Sequence, residues 1–596
     1  MKVMFYAPHA AIWPHAFPEA LVAEALRQQG NQIVYVGCGG QFKSYCIAMS
    51  AYGLKFDSPE MEKEKICQKC ERNKAFIRKE FGLSGPDIAE ELFVEDVRGI
   101  DAILKNVTPE NYLALEFSGI AVGKLTLYEF LLNHKKNNLE IDSDKWPEFK
   151  EALKNSIFSA MASRRIIERE KPDRLITYNS FYSVNHTCCI VAEKYSIPHY
   201  LLHAGNNMAH RMETLTLSKG YSYNFITRHP LWGYYRDVPC SSAQLRTVTD
   251  HLLALFDAKS VFIYSAPKSR EKIDLRGKFS IAPQQKVLVA TMSSHDERFA
   301  AVTIGVMPPD GSLVFPTQID WIDALVDFVS KRLELLLIIR VHPRELPNKR
   351  ESVTSEYASK LKARLIDLPD NVKVNWPSDQ ISLYDIADIA DVFLNSRSTT
   401  GMEMSLLGIP VVLYSPDQLY AYPPDLNYTA DSKEDYFLQI DRALSNGWNI
   451  EFSRKAYRWG VFQYCRALLD ISESYGGDKP IVNGFVGRVV NHVLWKLSPN
   501  YQQLYQQKQV QKQDCRHRAK KMKSGKTIND YLKSGKNSII ELDGMSLETV
   551  SLKQETDALK HEFRRIYAAM CWSGTNIEPD TLRAKIHNFI NFDRNS

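Results

Sequence analysis

The sequence predicts an α/β protein with two Rossmann-like domains facing a cleft, together with a helical insertion and a C-terminal helical extension. Two observations support this fold class. Short, continuous apolar runs alternate with amphipathic helical stretches, which is the pattern of buried parallel strands joined by helices. The alternation also restarts near residue 271, so we expect two successive α/β units.

The first unit opens on an apolar run and a helical stretch that ends at Gly30. Its predicted elements are the strands Val3–Ala7, Gln32–Gly37, Arg174–Tyr178 and Tyr200–His203 and the helix Pro18–Gln29. The second unit repeats the pattern. Its predicted elements are the strands Lys286–Ala290, Leu335–Val341, Val372–Asn375, Val392–Asn395 and Val411–Tyr414 and the helices Asp320–Leu333, Ser382–Ala390 and Thr400–Leu407.

These patterns divide the chain into three parts. We expect a first domain over 1–270, with a mostly helical insertion at about 62–160, and a second domain over 271–498. A basic helical extension over 499–596 follows, with one helix near Leu547–Met570. Two facing domains of this kind leave a cleft between them, which is a usual place for a substrate.

Composition limits the function classes. The 596 residues carry a net charge of only +5, so we expect no nucleic-acid partner. No run reaches the ~20 apolar residues that span a bilayer. The chain opens directly on a predicted strand, so we expect no secretory signal. We therefore expect a cytoplasmic protein. The basic stretch 508–536, with ten Lys or Arg against two Asp, is a candidate contact with a membrane surface or a solvated linker.

The strongest group of polar residues lies in the second unit. Arg340 and His342 close the strand Leu335–Val341, and a hydroxyl-rich loop follows the strand Val392–Asn395 directly before a helix. A helix start and an imidazole can both donate to a phosphate. The predicted donor-binding residues of this loop are Ser396, Ser398, Thr399, Thr400 and Glu403. The simpler alternative is that the hydroxyls cap the helix and His342 only ends a strand.

A second polar loop follows the first strand of this unit. Ser293 and Ser294 lie where Rossmann-like domains place a phosphate loop, although the glycine-rich fingerprint is absent. A plain polar loop is the alternative interpretation.

The order of these motifs resembles the donor domain of bacterial capsule and surface-polysaccharide glycosyltransferases of the GT-B fold. The motifs that carry the resemblance are Ser293–Glu297, a helix with Trp321, Arg340–Pro343, Ser396–Glu403 and Gly408–Val412. The pair of His-Pro and Ser/Thr motifs is similar to that of sialyltransferases and Kdo transferases, which use CMP-activated sugars. The resemblance implies that His342, Ser398 and Thr399 hold the phosphate of a nucleotide-sugar donor and that the first domain binds the acceptor.

An inverting transfer needs a base that deprotonates the acceptor hydroxyl. The candidate bases are His15 and Glu19, which follow the first strand, and His203, which ends the fourth; each could instead bind the acceptor or be a satisfied loop residue. No Asp-x-Asp motif appears where a metal-dependent transferase would need one, so we expect no metal to be required for catalysis.

Four cysteines lie close together in the first unit. Cys38, Cys46, Cys67 and Cys70 could hold a structural zinc ion through four thiolates. An iron–sulfur cluster or four free cysteines are the alternatives, because the spacing is not that of a standard zinc finger.

These observations together predict a metal-independent, inverting glycosyltransferase of bacterial capsule or surface-polysaccharide assembly. Its expected partners are a nucleotide-sugar donor and a glycan or lipid-linked glycan acceptor. The alternatives are a CDP-polyol phosphotransferase of the teichoic-acid type, a sugar-nucleotide epimerase and a non-catalytic glycan-binding scaffold.

Overall fold

The computed structural model describes most of the chain. The described residues are 1–221, 231–260, 262–309, 311, 313–348, 352–415, 421–474, 522, 524–542, 550–572 and 577–591.

The first sheet has six strands in the order β11-β5-β4-β3-β1-β2. They are β1 (Lys2–Tyr6), β2 (Gln32–Val36), β3 (Arg174–Tyr178), β4 (His199–Ala204), β5 (Thr214–Lys219) and β11 (Leu469–Asp470). Strands β1 to β4 are parallel, as predicted. Two further strands extend one edge: β5 is antiparallel to β4, and β11 is antiparallel to β5. The sequence analysis predicted neither strand.

The second sheet has five parallel strands in the order β10-β9-β6-β7-β8. They are β6 (Lys286–Thr291), β7 (Leu335–Arg340), β8 (Val372–Asn375), β9 (Val392–Asn395) and β10 (Val411–Leu413). Counted within the domain, this order is 5-4-1-2-3, which is the Rossmann order. All six residues of β7 are buried, as its continuous apolar sequence predicts for a strand covered on both faces.

Helices surround and connect both sheets. Those described in the first domain and its insertion are α1 (Trp13–Gln28), α2 (Ile47–Ala51), α3 (Glu60–Phe81), α4 (Val94–Lys105), α5 (Val122–Leu125), α6 (Leu127–His134), α7 (Trp146–Glu170), α8 (Ser183–Lys194), α9 (Trp232–Tyr235) and α10 (Ser242–Asp257). Those that follow are α11 (Leu275–Lys278), α12 (His295–Thr303), α13 (Gln318–Ser330), α14 (Glu356–Arg364), α15 (Leu383–Ile386), α16 (Thr400–Leu406), α17 (Lys433–Asn446), α18 (Ile450–Val461), α19 (Ser524–Ser534), α20 (Leu552–Met570) and α21 (Leu582–Asn591).

Both sheets and the predicted helical insertion are therefore present, and the fold class is confirmed.

Local signals explain where several elements begin or end. Thr317 caps the start of α13: its hydroxyl accepts from the Asp320 amide at 3.1 Å, and Asp320 accepts from the Thr317 amide at 3.0 Å. Gly30 and Gly408 have φ of +82° and +78°, which favours glycine after a helix. The predicted helix Ser382–Ala390 is shorter in the structure, at Leu383–Ile386.

The insertion contacts the second domain through α6 and the residues that follow it. The ammonium group of Lys135, 1% exposed, donates to the carbonyls of Arg344 and Val353 at 2.6 and 2.7 Å. Lys136 donates to Glu356 at 2.8 Å, and Arg344 donates to the Leu132 carbonyl at 3.2 Å. Hydrogen bonds thus tie the insertion to the segment directly after β7.

The described part of the C-terminal extension packs on both domains. In the first domain, Asn529 on α19 accepts from Asn31 at 2.9 Å. In the second domain, Arg583 on α21 pairs with Asp388 at 2.8 Å. The basic residues 508–521 and 523 lie outside the described residues, and 524–534 form α19, so the predicted membrane contact stays a prediction. Within the described ranges, no helix has both the length and the apolar character needed to cross a bilayer.

Glu555 on α20 joins this extension to both domains. Its side chain is fully buried, accepts from the Cys240 amide at 2.9 Å, and pairs with Arg454 and Arg458 at 2.9 and 2.7 Å. Three hydrogen-bond donors therefore compensate this buried carboxylate.

We expect Glu555→Gln to lower the thermal midpoint by several degrees, because it removes the buried charge that Arg454 and Arg458 share and leaves Arg454 paired with an exposed carboxylate alone. Breaking a buried pair costs about 3 kcal/mol or more. Glu451→Gln is the matched control: Glu451 also pairs with Arg454, but its side chain is 63% exposed, so we expect little change. Equal midpoints for both variants in differential scanning calorimetry would contradict the role given to Glu555.

Candidate functional site

The register of the second sheet brings three polar segments to one edge. Thr291 at the end of β6 pairs with Arg340 of β7 on one side and with Asn395 of β9 on the other. Because parallel strands end at the same edge, the residues that follow these three positions are neighbours. The strand order also reverses between β6 and β9, and such a reversal is where open α/β sheets bind ligands.

Hydrogen bonds hold the two hydroxyl-rich loops together. The Arg397 amide donates to the Ser293 hydroxyl at 2.9 Å, and the Thr291 hydroxyl donates to Asn395 at 2.9 Å. The Asn395 side chain in turn donates to the Ser398 carbonyl at 2.9 Å. Gly401 is required beside this network, because a Cβ there would overlap the Tyr422 hydroxyl. The loops after β6 and β9 therefore form one rigid unit.

His342 follows β7 at the same edge. Its Nδ1 accepts from the Arg344 amide at 3.2 Å. Burial lowers the pKa of His342 to about 4, so the ring is neutral at pH 7. A neutral imidazole whose Nδ1 accepts carries its proton on Nε2. His342 can thus donate one hydrogen bond through Nε2 without carrying a charge.

Glu403 and Arg340 are fixed by their neighbours. Glu403 accepts from the hydroxyls of Tyr384 at 2.8 Å and Thr399 at 2.9 Å. Burial raises the pKa of Glu403, and these two hydrogen bonds oppose the shift. Burial also lowers the pKa of Arg340 to about 10, and its guanidinium group donates to the Ile381 carbonyl at 3.1 Å.

The cleft between the domains has two adjoining lobes. The small lobe, of about 150 Å³, is lined by Arg340, Thr400 and the aromatic rings of Tyr264 and Tyr384. The large lobe, of about 530 Å³, is lined by Ser293 and Ser294 among others. Four predicted residues line both lobes: His342, Ser398, Thr399 and Glu403. Ser398 and Thr400 also share a hydrogen bond of 2.9 Å between their hydroxyls.

Ser396 differs from the other predicted donor-binding residues. It is fully buried, and the linings of the two lobes do not include it. Its amide donates to the Thr291 carbonyl at 3.1 Å, so its backbone continues the pairing of β9 with β6. We therefore assign Ser396 to the support of the loop.

The candidate bases of the first domain lie outside these lobe linings. His15 stacks on Tyr178 with ring centroids 4.4 Å apart, and His203 contacts the same ring at 5.4 Å. Burial lowers the pKa of both imidazoles, to about 3 for His15 and about 4 for His203. Glu19 was expected to face the cleft, but it is buried in α1, where burial raises its pKa. Glu19 is therefore poorly placed to act as a base, and His15 and His203 stay predictions.

The large lobe contains a pair that sequence reasoning missed. His251 accepts from the Met208 amide through Nδ1 at 2.9 Å, and its Nε2 lies 3.1 Å from the Tyr464 hydroxyl. Burial lowers the pKa of His251 to about 3, so its neutral ring must donate from Nε2 to Tyr464. The Tyr464 proton is then left to donate elsewhere. Tyr464 lies in a π-helical turn, Phe462–Arg466, which no sequence pattern indicated.

The four cysteines of the first domain occupy one region but do not form a metal site in the described structure. The Ala11 amide donates to the Cys70 sulfur at 3.1 Å. Burial raises the pKa of Cys38 to about 12 and that of Cys67 to about 11. Among the described residues, no three His, Cys, Asp or Glu side chains are grouped so that they could hold a metal ion. The structure gives no support to the zinc site through Cys38, Cys46, Cys67 and Cys70, which stays a prediction.

Comparison with known proteins identifies no family. No family model matches the chain, and no curated protein matches it. Solved structures match with low scores. The β-Kdo 2,4-transferase KpsC of Thermosulfurimonas dismutans is 14% identical, with 48% of this chain and 79% of that chain covered and a TM-score of 0.30.

Two further solved structures also match with low scores. The UDP-GlcNAc 2-epimerase of Neisseria meningitidis, bound to UDP-GlcNAc, is 11% identical over 78% of this chain and 97% of its own, with a TM-score of 0.25. The spinosyn rhamnosyltransferase SpnG is 12% identical over 78% and 96%, with a TM-score of 0.23. The matches thus include glycosyltransferases and epimerases. Scores this low do not identify an activity for this chain.

We expect Tyr464→Phe to weaken binding of a ligand that occupies the large lobe by about 3- to 10-fold, since a neutral hydrogen bond contributes roughly 0.5–1.5 kcal/mol. Tyr457→Phe is the control, because Tyr457 is a buried tyrosine that bonds Thr249 at 2.9 Å and lies outside the lobe linings. Isothermal titration calorimetry with nucleotide sugars measures the affinities of both variants. Equal affinities for the two variants would exclude Tyr464 from ligand binding.

Proposed function

We propose that this protein is a GT-B glycosyltransferase that transfers a sugar from a nucleotide-sugar donor to a glycan acceptor. One observation carries the proposal: His342, Ser398 and Thr399 line the same cavity at the strand-order reversal of the second domain. The imidazole N–H and the Ser398 hydroxyl suit the phosphates of a nucleotide, while the Thr399 hydroxyl, which donates to Glu403, fixes the loop beside them.

The two lobes suit the two ends of such a donor. The small lobe has apolar and aromatic walls, including Tyr264, Leu383 and Tyr384, which fit a nucleobase and ribose. The phosphates would then lie at the junction of the lobes, against His342 and Ser398. The large lobe, which Asn206, Tyr128 and Phe181 of the first domain also line, has room for the donor sugar and the acceptor hydroxyl.

In the proposed reaction, the acceptor oxygen attacks the anomeric carbon as the bond to the leaving phosphate breaks. Negative charge grows on that phosphate, and the Nε2–H of His342 together with the loop hydroxyls would stabilise it. We propose inversion at the anomeric carbon without a required metal ion, with the base on the first domain, where His15 and His203 are the candidates. Helix α16 has only seven residues, so we assign the phosphate contacts to side chains rather than to its dipole.

We further propose that the product belongs to bacterial capsule or surface polysaccharide and that the enzyme acts in the cytoplasm. This part rests on the order of the motifs in Ser293–Glu297, Arg340–Pro343 and Ser396–Glu403, which resembles that of such enzymes.

A thermal-shift screen with CMP-, UDP-, GDP- and CDP-linked sugars tests the proposal, because a ligand that binds the folded state raises its midpoint. We expect one nucleotide class to stabilise the protein. His342→Ala should weaken its binding by about 10- to 100-fold, since a hydrogen bond to a charged group contributes roughly 1.5–3 kcal/mol.

Two variants control this experiment. His342→Gln can still donate an N–H and should retain part of the shift, while His561→Ala removes an exposed histidine and should retain all of it. A full response from His342→Ala, or no response of the wild type to any of the four classes, would contradict the proposed donor site.

A further inference from the structure

A second cavity lies at the carboxyl edge of the first sheet. The strand order there reverses between β1 and β3, which is a ligand-binding position in open α/β sheets. We name it the switch-point cavity; it has a volume of about 50 Å³. Its polar lining includes His9 after β1, Ser183 at the start of α8, Glu129 on α6 and Asn155 on α7, together with Tyr45, Ser50, Thr126, Asn133 and Glu148. The donor site described above uses none of these residues.

Buried polar atoms of this lining lack partners among the described residues. His9 is 9% exposed and Asn155 is 5% exposed, yet both ring nitrogens of His9 and the Oδ1 of Asn155 have no hydrogen bond there. Glu129 accepts from the Ser183 amide at 2.7 Å and from its hydroxyl at 3.1 Å through Oε1, whereas Oε2 has no partner. Buried polar groups normally have partners, so this concentration in one cavity indicates a ligand.

The available atoms define the chemistry of that ligand. Asn155 Oδ1 can only accept. Burial raises the pKa of Glu129 to about 7, so near neutral pH its carboxyl group is about half protonated and can either accept or donate. Burial lowers the pKa of His9 to about 3, which leaves one donor and one acceptor on its neutral ring. A phosphate or carboxylate would meet the oxygens of Glu129 and Asn155. Hydroxyl groups, which both donate and accept, fit the set.

The size and position of the switch-point cavity further limit which molecules can bind there. One water molecule needs ~10–15 Å³ of such a cavity, so 50 Å³ holds about three to five waters. This space admits only the end of a larger molecule. Helix α6 forms a wall shared with the cleft. Glu129 and Phe130 line the switch-point cavity, while Tyr128 and Leu132 of the same helix line the large lobe. A molecule bound here lies beside the proposed donor site.

We propose that the switch-point cavity is a subsite for a hydroxyl-bearing end group of the acceptor sugar, held by Glu129, His9 and Asn155. The identification of this sugar as the acceptor rests on the proposed glycosyltransferase function. The presence of a hydroxyl-binding cavity does not.

Saturation-transfer NMR on the full chain tests the proposal, with glucose, galactose, N-acetylglucosamine and glycerol as probes. We expect at least one probe to receive saturation from the wild type. Glu129→Gln keeps the shape but replaces the Oε2 acceptor with a donor, and Asn155→Leu removes the acceptor; each should reduce the signal at least 5-fold. His186→Ala is the control for a buried polar change elsewhere in the same domain, because His186 stacks on Tyr221 and lies outside the cavity lining.

The outcomes separate the two proposals. No signal from any probe, or a full signal in both cavity variants, overturns the subsite even if a nucleotide still stabilises the protein. A cavity-dependent sugar signal without any nucleotide effect supports the hydroxyl-binding site and contradicts the glycosyltransferase. If either variant fails to fold, a crystal of the wild type soaked with the best probe decides: a hydroxyl within hydrogen-bond distance of Glu129 supports the subsite, and sugar density in the cleft alone overturns it.

Discussion

The register of the second parallel sheet is the constraint on which the site depends. Thr291 stands between Arg340 and Asn395 on its two neighbours, so three chain segments leave the sheet side by side. No segment alone forms a phosphate site, since His342 offers one N–H and the loop after β9 offers a few hydroxyls. Parallel pairing brings them together, and the reversal of strand order between β6 and β9 opens the space that a ligand can enter.

The contacts between the domains then fix which part of the first domain faces this edge of the second sheet. Lys135 bonds two carbonyls of the segment that begins at Arg344, two residues after His342. In the C-terminal extension, Glu555 binds Arg454 and Arg458 of the second domain and the Cys240 amide of the first domain. Since these contacts use buried charges with several partners each, a change in the separation of the domains would have to break them.

The sequence predicted the features that local patterns encode. Apolar runs located nine of the eleven strands in the described part of the chain. His342 and Ser398, which follow two of these runs, line the cleft. The direction of a side chain was harder to predict, because it depends on packing between distant segments. Ser396 and Glu19 were predicted to face the ligand, but both side chains are buried. Strand β11 pairs with β5, which is distant in the sequence, and no local signal predicted this strand or the π-helical turn of Tyr464.

In both domains, polar residues that follow two adjacent strands meet where the strand order reverses. A crystal structure with a bound nucleoside diphosphate tests this account most directly. We expect a phosphate oxygen within hydrogen-bond distance of His342 Nε2 and of a hydroxyl of Ser398 or Thr399 at the same time. A nucleotide bound with its phosphates away from these groups, for instance at the end of β1, would contradict it.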